Sequence, residues 1–345
     1  MLNKKFVFVS FILIQGLLGF SQIDLPFFKE KEDSLIVYGK LMLNAETDDQ
    51  RVEANQKFKS ILFEALKKEN SFQYNFDSLL MIARLMPEDK SFRLYNWHIN
   101  KSNGTYLYFG VIQVFNEKKK KYDIYWLSDK TMDIMIPQEE KLGNDKWYGA
   151  HYYKVIENKD GGKKYYTLLG WKGNNQLTQK KVIDVLLFNS SGKPTFGDAI
   201  FKVGKKPAKR VVFEYSSTVS MTMKYHEKTG YIVYDHLSPK DDNLKGQFQY
   251  YGPDFTYDAL KFKNGKWHKV DDFEARNDDV RYTKKDYKKD LKLIKEKLEN
   301  NQITKDMYLK EVEVIERKLN RKPQKSSELK GTVKVKPVVP EKSGK

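Results

Sequence analysis

The spacing of apolar positions changes twice along the chain. Near the N-terminus, Phe58, Ile61, Leu62, Ala65 and Leu66 recur every three or four residues, the stripe of one helix face. Thr47 followed by Gln50 is a capping-box pattern just ahead of that stripe. Asp49, Glu53, Lys57, Lys59 and Lys67 fall largely off it, so the helix docks through one face. Residues 79–85 are apolar but short, readable as helix or strand, and Pro87 ends them. Residues 22–90 are therefore predicted to be mostly helical and to pack on the β body C-terminal to them.

From Ser91 the texture becomes short aromatic and β-branched runs between turn signals. "SFRLYNWHI" meets Asn103-Gly104, a strong hairpin dipeptide, and "YDIYWLS" pairs with the run before it. "HYYKVI" and "YYTLLGW" flank a turn at Gly161-Gly162, and Asn264-Gly265 closes the last hairpin. Strands without intervening helices predict an antiparallel β-meander over residues 91–280, sandwich or barrel-like. No fixed repeat supports a propeller.

The second change comes at residue 281. Tyr287, Leu291, Ile294 and Leu298 share a 4-3-4 spacing with Tyr308, Val312, Ile315 and Leu319, displaced by 21 residues. Thr283 and Thr304 are N-cap candidates, with Asn300-Asn301 in the turn between. Residues 281–321 read as an antiparallel helical hairpin with a narrow seam. Residues 322–345 are rich in Lys, Pro and Ser and read as a disordered basic tail.

Composition then places the chain. Lys4 and Lys5, an apolar run over residues 6–18, and Gly19 and Ser21 before Gln22 form a signal-peptide pattern, residues 1–21. That run is short for a bilayer span, and no later segment spans one, so the mature chain is expected to carry no transmembrane span. The absence of cysteine excludes disulfides, thiolate metal sites and thiol nucleophiles. The formal charge of +17 is uneven: residues 281–345 hold 20 Lys+Arg against 10 Asp+Glu, a net +10. An exported chain rarely meets nucleic acid, so none is expected as partner. The basic end fits an envelope protein or an anionic glycan or lipid surface, and the hairpin seam fits a homo-oligomer.

Chemistry is sparse. Gly170-Trp171-Lys172-Gly173-Asn174-Asn175 lacks the G-K-[ST] of a phosphate loop and reads as a strand-to-strand loop. The five histidines form no ligand pair in sequence, although His226 and His236 face each other across a hairpin around Thr229-Gly230. No metal and no cofactor is expected. Asp235, His236 and Ser238 are triad residue types without a nucleophile elbow. A glycosidase needs two carboxylates in one cleft, for which Asp184, Glu214, Asp235, Asp254 and Asp258 are available. Asp184 alternates with Val182 and Leu186, hence faces inward if that face is buried. Aromatics make up 14% of the chain, and Trp97, Trp126 and Trp171 are candidates for stacking on a ligand's flat face. The binding candidates are thus Trp97, Trp126, Trp171, Asp184, Asp235 and His236.

The stretches "SFRLYNWHINKSNGTYLYFGVIQ", "YYTLLGWKGNN", "KVIDVLLFNSSGKPTFG", "KRVVFEY" and "FQYYGPDFTYDALKFKNGKW" resemble a family of uncharacterised exported proteins from Bacteroidota. The resemblance covers roughly residues 33–277 and brings no catalytic residue with it. It implies a diderm envelope: periplasm, outer-membrane surface or secretion. The expectation is an exported cell-envelope protein acting as a non-enzymatic binding or structural module. The alternative is an exported hydrolase that cuts polysaccharide with a carboxylate pair.

Overall fold

The computed structural model describes residues 23–116, 119–271, 273, 284–300 and 303–320. The expected signal-peptide pattern, the Thr283 cap candidate, Asn301 and the expected disordered tail from residue 322 lie outside the described residues. The chain divides into two compact units, residues 1–273 and 274–345. It is mainly β, with antiparallel sheets, N-terminal helices and a C-terminal helical piece. Among the described residues no helix is long and apolar enough to cross a membrane.

The first unit opens with α1 (Leu25–Asn44) and α2 (Asp48–Lys67). The capping box at Thr47 forms as predicted: its hydroxyl accepts from the Gln50 amide and the Gln50 side chain accepts from the Thr47 amide, both at 3.2 Å. Residues 79–85 resolve into a turn and a short strand, β1 (Ala83–Leu85). With β2 (Phe92–Asn100), β3 (Tyr106–Asn116) and β4 (Lys121–Ser128) it forms a four-stranded sheet in the order β1-β2-β3-β4.

A second, six-stranded sheet holds β5 (Leu142–Gly143), β6 (His151–Asp160), β7 (Lys163–Gly173), β8 (Thr178–Phe188) and β9 (Pro194–Phe196), with β11 (Val211–Ser216) also paired to β8. The third sheet runs β10-β15-β14-β13-β12, from β10 (Phe201–Lys202), β12 (Met223–His226), β13 (Tyr231–Pro239), β14 (Tyr251–Lys263) and β15 (Lys266–Val270). All pairings among these strands are antiparallel except the two-residue β10–β15 contact. No sheet among the described residues closes into a barrel; the sheets stack as in a sandwich.

Side-chain alternation fixes the stacking. Odd residues of β2, Tyr95, Trp97 and Ile99, share a core with Phe28, Leu35, Phe58 and Leu62 of the helices. Even residues Phe92 and Leu94 share the next core with Tyr152, Leu168, Val182 and Leu186 of the second sheet. The opposite face of that sheet, through Leu169, Ile183 and Val185, packs on Ile232, Leu260 and Trp267 of the third. The unit is a four-layer stack of helices and three sheets. Both faces of β2 and of the second half of β8 are covered, so consecutive residues Phe92–Trp97 and Val182–Leu187 are buried instead of every other one.

Each interface carries one fully buried tryptophan whose indole N–H is satisfied across it or beside it. Trp97 donates to Asn55 Oδ1 of α2 (2.7 Å), Trp147 to the Tyr152 hydroxyl (3.3 Å), and Trp267 to Thr167 Oγ1 of β7 (2.9 Å). Large rings fill the layers, and the N–H bonds avoid the cost of a buried unpaired donor.

The second unit is a hairpin of α3 (Lys284–Glu299) and α4 (Lys305–Asn320). Thr304 caps α4, accepting from the Met307 amide at 3.3 Å.

Candidate functional site

Asp184 does face inward, and the structure shows what it meets there. Arg210, just before β11, donates Nε–H to Asp184 Oδ2 at 2.6 Å, and both side chains are wholly buried. The same oxygen accepts the Tyr152 hydroxyl at 3.1 Å, while Oδ1 accepts the Val185 amide at 2.8 Å. Arg210 also donates to the Pro137 carbonyl. Burial, and then the Asp184 carboxylate, push the Tyr152 hydroxyl well above the usual phenol range. With three internal hydrogen bonds and no exposed side-chain surface, this carboxylate clamps two strands.

The Gly170–Gly173 motif is not a loop. It is the C-terminal end of β7, and the turn lies beyond it, closed by Thr178 O accepting from the Asn175 amide. The glycines make room for rings. A Cβ on Gly170 would sit 2.8 Å from the Tyr152 ring, and one on Gly173 2.2 Å from the Tyr106 ring. Lys172, between them, is buried with its Nζ donating to Thr131 Oγ1 (2.8 Å) and to the Gly149 carbonyl (2.5 Å). Its ammonium lies 4.2 Å from the Tyr108 ring centroid and 4.7 Å from that of Tyr148. Burial pulls its pKa down to about 8, against the pull of Asp129.

Beyond Tyr108 this seam reaches two histidines distant in sequence. His98 of β2 and His151 of β6 bring their Nδ1 atoms to 3.3 Å. Burial, then the neighbouring His151, lowers His98 to about 4; burial lowers His151 too. Trp171 closes the cluster 5.2 Å from His98, its indole N–H donating to Gln179 Oε1 at 3.0 Å.

The other sequence candidates are scattered. Trp97 is sealed in the helix–sheet core, and Trp126 lies edge-on to it at 6.5 Å with Lys59 Nζ over its ring. Asp235 accepts from the Thr222 amide at 2.6 Å. A bulge at the next residue turns His236 to a different network, Nδ1 3.0 Å from Asp258 and Nε2 3.9 Å from Asp254. Asp258 also takes Lys269 at 3.0 Å. The His226–His236 approach does not occur, because the hairpin register pairs His226 with Tyr231. Glu214 is bound by Lys180 (3.2 Å) and Thr178 (2.7 Å). Among the described residues no group of three or more His, Asp or Glu is placed to hold a metal ion.

Polar groups and solvent meet instead in a pocket of about 210 Å³ beside β1, lined by Asn75, Asp77, Arg84, Leu85, Met86, Arg93 and Tyr95. Arg84 and Tyr95 are cross-strand partners in the β1–β2 ladder. Arg93, also on β2, is buried; its guanidinium donates to the Tyr74 carbonyl and Asn75 Oδ1 (2.9 Å) and lies 5.0 Å above the Phe72 ring. The loop forming the opposite wall is tightly determined. Phe76 holds φ +51°, costly for a bulky residue, with its ring fully buried and edge-on to Tyr74 and Tyr95. Buried Glu32 of α1 fixes the loop from behind, accepting from the Tyr74 hydroxyl (2.5 Å) and the Ser78 amide (2.8 Å).

Inward Phe76 turns its neighbours Asn75 and Asp77 outward. Asp77 reaches Arg84 at 3.1 Å with 80% of its side chain in solvent, against 24% for Arg84. An ion pair that exposed contributes ~1 kcal/mol or less. A carboxylate from outside can replace it at little cost and keep the Arg84 guanidinium paired. No sequence signal marked Arg84, Arg93 or the His98–His151 pair, since each owes its place to strand register and layer stacking. Compared with family models, curated proteins and solved structures, the chain matches none.

Proposed function

We propose that the chain is an exported cell-envelope binding module that holds the carboxylate of a small ligand in the Arg84–Arg93 pocket. The observation that carries this reading is that two guanidiniums line one pocket: Arg84 holds the Asn75 and Asp77 backbone carbonyls (2.8 and 3.3 Å), and its one carboxylate partner, Asp77, is mostly exposed and displaceable. Planar guanidinium forks match a carboxylate in two parallel hydrogen bonds. The pocket lies below the ~300 Å³ at which drug-sized ligand sites begin, so it suits a monosaccharide-sized group. Leu85 and Met86 supply an apolar edge for the rest of that ligand.

Export rests on the residue 1–21 pattern and on the resemblance to exported Bacteroidota proteins. Binding is preferred to polysaccharide hydrolysis because Asp184, Glu214 and Asp235 lie in separate networks, and Asp254 and Asp258, which share His236, are each held by further internal partners, Thr256 and Lys269. Titration calorimetry with glucuronate, glucose and inorganic phosphate tests the reading. Glucuronate is expected to bind the wild-type chain, glucose not, and Arg84→Met is expected to weaken glucuronate at least about tenfold, the loss of one charge-assisted contact. Equal binding of glucose, or an unchanged Arg84→Met, overturns it.

A further inference from the structure

The α3–α4 hairpin carries its own unsolved physical problem. Each helix has 16 residues, a length at which an isolated helix is marginal in water. Units below ~40 residues usually need disulfides, metals or association to hold a fold, and the chain has no cysteine. Among the described seam residues only Ile294 and Ile315 are buried. Tyr287, Leu291, Leu298, Tyr308, Val312 and Leu319 stay half-exposed. A groove of about 470 Å³ runs over the two buried isoleucines, and Leu293 on its wall is 53% exposed. Met307 and Leu309 on α4 are exposed to a similar degree.

We infer that this groove is where a second copy of the chain docks, hairpin on hairpin, forming an intermolecular four-helix bundle. Two features select that occupant. The 21-residue displacement makes Ile294 and Ile315, Tyr287 and Tyr308, and Leu291 and Val312 equivalent positions on the two helices. Of the equivalent positions, Ile294 and Ile315 line the groove, and so do the equally spaced acids Asp290 and Glu311, so both helices present related residues to it, a surface suited to a two-fold interface. Its rim carries both signs in equal number, Lys297 and Lys310 with Asp290 and Glu311. A copy of that rim complements it, whereas a purely anionic surface would meet Glu311 with repulsion.

The test uses the full mature chain. Sedimentation at several concentrations should show a dimer that dissociates on dilution, and Leu293→Glu, a change at an exposed position, should give monomers at all of them. The thermal transition of residues 22–273 should stay in place in that variant. Because the chain lacks cysteine, Leu293→Cys adds a single thiol. Mild oxidation should cross-link it into a covalent dimer at least about tenfold faster than Lys292→Cys, the effective-concentration advantage of a preformed contact. A wild-type chain that stays monomeric throughout, a dimer that survives Leu293→Glu, or equal cross-linking of the two cysteine variants overturns the inference.

Discussion

Arg210 Nε lies 2.6 Å from Asp184 Oδ2, and neither side chain touches solvent. Two strands paired to each other, β8 and the segment entering β11, are joined by a charge pair inside an apolar interface. Such pairs gain little over apolar replacements, yet losing one partner strands a buried charge. Asp184→Asn is expected to lower stability by about 3–5 kcal/mol in urea denaturation. Asp184→Leu with Arg210→Met should recover most of it, since both charges then leave together. If the double variant is no better than the single one, the pair is not what the interface depends on.

The His98–His151 contact makes stability depend on pH. In the folded chain His98 titrates at about 4, below the ordinary imidazole value of 6.5, because burial penalises the imidazolium. Between those values the unfolded chain binds the proton and the folded chain does not, so stability is full above pH 6.5 and falls as pH drops towards 4. The shift corresponds to a loss of up to about 3 kcal/mol. Urea midpoints from neutral pH down to about 4.5 should show this slope, and His98→Gln should flatten it. A flat wild-type profile in that window would contradict the burial of this pair.

Gly173 is predicted to refuse even a methyl group. An alanine Cβ would stand 2.2 Å from the Tyr106 ring, so the ring must move. Overpacking of this kind costs about 1–3 kcal/mol. Since Tyr106 lies 5.3 Å from Trp171, Gly173→Ala should also shift tryptophan emission. Combining it with Tyr106→Ala should cost less than the two single losses added. Full additivity would mean the clash is absent.

Features set by local chemistry are the ones the sequence discloses. The Thr47–Gln50 cap, the Asn103-Gly104 and Asn264-Gly265 turns and the repeat behind the hairpin all involve residues near one another in the chain. "GWKG" misleads because glycine signals a turn locally, whereas Gly170 and Gly173 serve tyrosines brought in by other strands. In "FQYYGPDFTYDALKF", Phe248–Tyr250 form a 3-10 turn and Tyr251 opens β14, whose ladder to β13 shifts register where the strand passes Phe255 at φ +69°. Asp184 is legible as inward from alternation alone. Its partner is not, because Arg210 sits 26 residues away, outside any periodic run. The Arg84–Arg93 pocket is walled by the loop whose left-handed residue is Phe76, a bulky residue type that does not announce such a turn.

The most direct measurement is a crystal structure of the mature chain grown with glucuronate. The ligand carboxylate is predicted to pair with the Arg84 guanidinium, with Asp77 released into solvent and the Phe76 turn unmoved. A structure at saturating glucuronate with the Asp77–Arg84 pair intact and the pocket holding no ligand would contradict the proposed function.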